Sequence, residues 1–195
     1  MTEGERAVRL LLIGPPGSGK GTQGKRVAQR YGVEHIAAGD LLRLEVETES
    51  GIGRRAVASM QRGELVPDAL VYELVMPRVL AAGKANGYVL DGFPRSVGQA
   101  EEGRAIFEDN DVAVRLAVLL DAIPDDLLPR LLERAQSEGR FDDTPEVIRA
   151  RLDVFKEEVE PLLAFYRERG LLVTVDASGS PDDVWAQLQA LVEST

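Results

Sequence analysis

The run "VRLLLI" (residues 8–13) feeds directly into "GPPGSGKGTQ" (residues 14–23), and no other stretch constrains the chain as tightly. The apolar run reads as a strand, and the residues from 20 to 30 have helical spacing. Between them Gly14, Gly19 and Lys20 satisfy the spacing G-x-x-x-x-G-K. A glycine-rich turn in that context lets successive backbone N–H groups converge on an anion, and the helix adds the positive end of its dipole. Lys20 supplies a mobile point charge for outer phosphates. The competing reading is a Gly-Pro turn that only joins strand to helix. One departure matters: the Ser or Thr that usually follows the lysine as a magnesium ligand is Gly21, with Thr22 one place later. A metal here is therefore expected to be held by phosphate oxygens and waters rather than tightly by protein.

Further short apolar runs recur at "YVLD" (88–91), "VRLAVLL" (114–120) and "LLVTV" (171–175), with a weaker one at "VEHI" (33–36). They are too continuous for one-sided strands, so they predict strands buried on both faces. Helical spacing occupies 20–30, 53–62, 68–82, 124–135, 145–169 and 182–193. Alternation of this kind predicts an α/β fold, a central five-stranded parallel sheet with helices on both faces. Right-handed crossovers then put the loops after the strands on one edge. Two regions interrupt the alternation: residues 37–66, helical with no strand between, and 132–141, "LERAQSEGRF", a short polar loop between helices. Both read as flaps over that edge rather than as domains.

With 195 residues and a net charge of −10, one compact unit is expected, and an acidic surface argues against non-specific nucleic-acid binding. Any phosphate chemistry must then gather its arginines locally. No apolar run is long enough for a bilayer span, and the N-terminus lacks a secretory core, so the expectation is a cytoplasmic protein with no membrane partner. The residues ahead of the first strand read as a disordered lead-in. The chain has no cysteine, which removes disulfides, thiolate zinc and a cysteine nucleophile, and His35 is its one histidine. A structural role at a strand end is the expectation for His35.

Arg43, Arg95, Arg130, Arg134, Arg140, Arg149 and Arg151 fall near the flaps or at strand ends. Phosphoryl transfer between nucleotides brings several negative charges together and asks little of a general base. Planar guanidinium donors meet that demand, so the chemistry needs neither histidine nor cysteine. Arg130 lies four residues before Arg134 and shares its helix face. Arg149 has no motif to support it and reads as a solvated surface residue. Asp91 ends a buried strand, where it would hold magnesium-bound water or else cap the turn "DGFPRS". Asp142 and Asp143 are placed to orient arginines or Mg-ATP, or to cap the helix that opens "TPEVIRARL".

The loop "GPPGSGKGTQ" resembles the signature of the nucleoside monophosphate kinases, and of the short-lid adenylate kinases among them. "HIAAGDLLR" (35–43), "GELVPD" (63–68), "LDGFPRSVGQAE" (90–101) and "LLPRLLERAQSEGRFDD…IRARLD" (127–153) support this in the family's order. The resemblance implies a three-layer P-loop NTPase core (1–36, 67–131 and 142–195), an NMP-binding flap (37–66) and a short lid (132–141). On the ATP side it implies Gly17, Ser18, Gly19, Lys20, Gly21 and Thr22, with Arg130, Arg134 and, at the adenine, Gly179. On the AMP side it implies Ala38, Arg43, Glu64, Leu65, Val66, Gly92, Phe93, Pro94, Arg95 and Gln99. Arg140 and Arg151 would bridge donor and acceptor phosphates, and Lys20, Asp91, Arg95 and Arg134 join them in catalysis. Mg2+ would arrive with ATP, structural zinc is not expected, and the partners are ATP, AMP and ADP on a monomer. Gln99 is the adenylate kinase residue and can donate and accept on an adenine edge. Ala38 stands where that family usually has Thr and the UMP/CMP kinases have Ala. The expected reaction is thus ATP + AMP ⇌ 2 ADP. A UMP/CMP kinase and a non-catalytic nucleotide-binding module are the alternatives.

Overall fold

The computed structural model describes residues 7–194, except the side chains of 124–126; the lead-in at residues 1–6 lies outside it. Five strands form one parallel sheet: β1 (Val8–Ile13), β2 (Glu34–Ala37), β3 (Gly87–Asp91), β4 (Leu116–Asp121) and β5 (Leu172–Asp176). Their spatial order is β2-β3-β1-β4-β5. The order reverses at β1, which pairs with β3 through Leu10↔Val89 and with β4 through Leu10↔Leu116. A crevice opens at such a switch point, outside the carboxyl ends of the strands. The glycine-rich loop leaves β1 there, and Asp91 sits beside it, because Leu12 pairs with Asp91.

β1 alternates between two cores. Leu11 and Ile13 pack with Ile36, Leu90 and Phe93 on one face, while Leu10 and Leu12 pack with Val89, Val118 and Leu120 on the other. That is the double-sided burial its continuous apolar sequence predicts. The helices covering the sheet are α1 (Lys20–Tyr31), α4 (Asp68–Lys84), α5 (Val97–Asp109), α7 (Pro145–Arg167) and α8 (Pro181–Glu193). Between β2 and α4 stand α2 (Ala38–Glu47) and α3 (Gly51–Arg62), the two helices of the 37–66 segment. They cross closely at Gly53, where a Cβ would lie 2.0 Å from the Glu45 carbonyl oxygen. Serine and threonine set several starts: Ser50 accepts from the Gly53 N–H, Thr144 from Val147, and Ser180 and Asp183 form a reciprocal capping box.

Two elements differ from the sequence expectation. α5 is absent from the predicted helices because its buried side consists of Gln99, Ala100, Gly103 and Phe107, too small and polar for a clear apolar stripe. And α6 (Pro124–Glu138) runs three residues past its predicted end, through most of the expected 132–141 loop. Neither glycine nor proline interrupts residues 130–138, so the helix stops only at Gly139, with φ 62° as its left-handed cap.

Candidate active site

The crevice is a cleft of about 1040 Å³ bordered by the loop after β1, the tip of β3, α2, the end of α6 and α7. Gly17 and Gly19 turn the loop at φ 86° and 92°. Gly19 is also the N-cap of α1 and offers no side-chain cap, so the first N–H groups of α1 remain available to an anion. Lys20 folds back over its own loop, its Nζ donating to the carbonyls of Gly14 (2.7 Å) and Pro15 (2.9 Å). Ser18 Oγ is buried without a hydrogen-bond partner in the same loop.

Cations crowd the cleft wall: Lys20, Arg43, Arg95, Arg130, Arg134, Arg140 and Arg151 all line it. Most are held by carboxylates. Asp143, whose side chain is fully buried, receives Arg134 through Nε (2.9 Å) and Nη2 (2.6 Å) and Arg151 through Nη1 (2.7 Å). Asp142 receives Arg43 at 3.1 Å, and one of its oxygens is buried without a partner. Asp40 binds Arg43 and lies 3.4 Å from Arg140, which also donates to Glu138 at 2.5 Å. Among the described residues, Lys20 and Arg95 form no ion pair; Arg95 Nε donates to the Gly92 carbonyl at 2.8 Å.

The protonation equilibria follow from this arrangement. Burial pulls Lys20 from an ordinary 10.5 to about 8, against the attraction of Asp91 and with help from Arg95, Arg151 and Arg134. Burial, with Arg151 next, brings Arg95 down to about 10, and burial also lowers Arg151 despite Asp143 and Asp142. For Arg43 burial is outweighed by Asp142 and Asp40, so its pKa ends raised. Burial would raise the Asp40 carboxyl, but Arg43 and Arg140 leave it below the ordinary value.

A pH profile follows. With no anion bound the Lys20 ammonium is lost as pH rises through about 8, so affinity for a phosphate-bearing anion at this loop should fall there. A bound anion favours the ammonium and should move that fall to higher pH. Binding of a polyphosphate probe measured from about pH 6 to 10 checks this; an affinity flat across the range would contradict it. For stability the sign is opposite: between about 8 and 10.5 the unfolded chain binds more protons at this lysine, so its contribution to stability rises with pH.

Of the other sequence-nominated residues, Gly21, Thr22, Leu65, Asp91, Gly92, Pro94 and Gly179 also line the cleft. Ala38, Val66 and Phe93 are buried and do not line it, and Glu64 is exposed and paired with Arg62 at 2.6 Å. Gln99 is buried and lines a second cavity, of about 300 Å³, that shares Pro94 with the cleft. Arg149 is exposed. The capping alternatives go elsewhere: Ser96 caps α5 and Thr144 caps α7, leaving Asp91 in the cleft and Asp142 and Asp143 on arginines. His35 Nε2 faces Asp91 at 3.7 Å and abuts Gly24, where a Cβ would meet it at 2.5 Å. Asp40 was not singled out from sequence; its one local signal is the i,i+3 spacing to Arg43 on α2.

A glycine-rich phosphate loop at the switch point of a parallel sheet, facing a wall of arginines, defines a P-loop phosphotransferase. The adenylate kinase family model matches residues 12–171. An adenylate kinase from Kocuria rhizophila is 44% identical over 185 residues, covering 95% of this chain and 98% of the relative. Adenylate kinases from Synechococcus sp. (strain WH7803) and Thermus thermophilus are 45% and 40% identical, over 93% of this chain each and 97% and 95% of themselves. The chain belongs to the adenylate kinase family. It is a nucleoside monophosphate kinase, as its loop and arginine motifs imply.

Proposed function

We propose that this chain transfers the terminal phosphoryl of ATP to AMP, giving two ADP, and runs the reaction in both directions. The observation that carries the reading is that, among the described residues, Lys20 and Arg95 form no ion pair, while Arg43, Arg134, Arg140 and Arg151 in the same cleft are held by carboxylates. Two cations without ion pairs in a partly buried cleft are stabilised by an incoming polyanion. In the proposed reaction the loop amides, Lys20, Arg130 and Arg134 hold the ATP phosphates, with the adenine end near Gly179. Arg43 and Arg95 hold the acceptor phosphate. Arg140 and Arg151 exchange their carboxylate partners for the phosphoryl group in flight, as bidentate donors suited to its equatorial oxygens.

The acceptor nucleoside is assigned to the space between α2, α3 and the start of α5, with Ala38, Glu64, Leu65, Val66, Gly92, Phe93, Pro94 and Gln99 around it. Residues 37–66 and 132–141 act as flap and lid. Asp40, Glu138 and Asp142 hold the arginines of both in the free protein, and nucleotide phosphates draw them over the site and exclude water. The oxygen donors in the cleft, Asp91 and Thr22, suit a hydrated Mg2+ carried on ATP. Such an ion would neutralise phosphate charge, with Asp91 holding its water. Among the described residues no cluster of three metal-ligating side chains exists, and no helix is long and apolar enough to cross a membrane. The reading includes a monomer working in the cytoplasm.

The test is ADP formation from Mg-ATP with AMP, CMP or UMP offered singly. AMP should lead by about tenfold or more in kcat/KM, the scale of a lost base hydrogen bond. A lead for CMP or UMP would make Ala38 the deciding residue, and no transfer to any of them would reduce the chain to a nucleotide-binding module.

A further inference from the structure

Gln99 is 2% exposed, and its amide is held at both ends. Oε1 accepts from the backbone N–H of Arg95 at 2.8 Å, and Nε2 donates to Oδ1 of Asp68 at 2.6 Å. Asp68 opens α4. Neither partner can exchange roles: a peptide N–H only donates and a carboxylate only accepts. Turning the amide over would set donor against donor at Arg95 and acceptor against acceptor at Asp68. The orientation of Gln99 is therefore dictated by the chemistry of its two neighbours.

What remains for a ligand is one N–H on Nε2 and one lone pair on Oε1, in fixed order. A base needs only that edge, so burial does not bar the contact; it keeps the amide from turning. Adenine and cytosine carry an exocyclic amino donor next to a ring-nitrogen acceptor. Guanine and uracil carry a carbonyl acceptor next to a ring N–H donor, the reverse order. An amide fixed one way round is complementary to one pair of bases and mismatched at both atoms to the other.

We infer that Asp68 is a positioning residue for acceptor selection: by locking the Gln99 amide it makes the site accept amino-bearing bases and reject oxo-bearing ones. The inference rests on the proposed contact between Gln99 and the acceptor base. It separates CMP from UMP and AMP from GMP, which pocket size alone does not. Asp68 closes the "GELVPD" motif but is given no role of its own in the sequence reading, and its pairing with a residue 31 positions away is visible only in the fold.

The experiment is kcat/KM for AMP, GMP, CMP and UMP in the unaltered chain and in Asp68→Asn, Asp68→Glu and Gln99→Ala. The asparagine amide can both donate and accept, so it removes the Asp68 half of the lock and leaves only the Arg95 N–H opposing the turn, whereas glutamate keeps an acceptor-only group. In the unaltered chain AMP should exceed GMP, and CMP exceed UMP, by roughly a hundredfold or more. In Asp68→Asn both ratios should fall by about tenfold, through lower KM for GMP and UMP, while Asp68→Glu retains most of the discrimination. A merely structural Asp68 would instead lower all four substrates together. Ratios unchanged in Gln99→Ala would remove the base contact itself. Ratios lost in Gln99→Ala but kept in Asp68→Asn would leave that contact standing and overturn the role assigned to Asp68.

Discussion

Lys20→Met is expected to lower turnover by about a thousandfold while leaving the fold in place. The Nζ is the one mobile point charge in the phosphate loop, and its ligand-free contacts are two carbonyls of that loop, not the core. Removing a single preorganised donor to developing charge costs on the order of 100- to 1000-fold in rate, and Lys20 carries a full charge besides. Its effect on stability has the opposite sense. Burial already drives the lysine toward its neutral form, so the free protein bears a cost for keeping it charged. Methionine removes that cost, and the melting temperature without nucleotide should hold or rise. The further rise on adding Mg-ATP should shrink, because the phosphates lose their cation. Initial rates of ADP formation and melting curves with and without ATP check both halves. Turnover within tenfold of the unaltered chain would remove Lys20 from the machinery.

Asp143→Ala should be the most damaging change among the carboxylates. Its side chain is fully buried and takes three guanidinium hydrogen bonds from Arg134 and Arg151. Deleting one partner of a buried ionic cluster typically costs about 3–5 kcal/mol, since the surviving charges lose their counter-ion. Arg134 retains partial contact with solvent, which places the expected loss near 3 kcal/mol, or roughly a 10 °C lower melting temperature for a chain of this size. Turnover should fall about a hundredfold or more, because two guanidiniums lose the anchor that sets their position. Bound ATP should recover part of the stability by supplying phosphate oxygens in place of the carboxylate. Unchanged melting with full activity would mean that Asp143 neither stabilises nor aligns the arginines. Asp143→Asn separates shape from charge, as it keeps one acceptor oxygen but not the ion pair.

Much of this protein is legible before folding. The β1 loop is one continuous stretch, so its glycine spacing and Lys20 can be read directly, and the structure places them at the switch point of the sheet. Strands buried on both faces announce themselves by unbroken apolar runs, and all five runs became strands. α5 escaped because a helix that packs through Gln99, Ala100 and Gly103 shows little of the apolar periodicity by which helices are recognised. The end of α6 was misjudged because polarity marks a solvated helix as readily as a loop, and only Gly139 supplied a stop.

By itself the sequence determined the sheet, the phosphate loop and the supply of arginines, because each rests on chemistry confined to neighbouring residues. Tertiary structure alone decided the pairings between distant elements. Arg43 meets Asp142 across 99 residues, Arg140 approaches Asp40 across 100, and Gln99 meets Asp68 across 31. No local pattern encodes such pairs. They form because parallel crossovers return the chain to one edge of the sheet, and a partly desolvated charge there must find its opposite or an anion from outside.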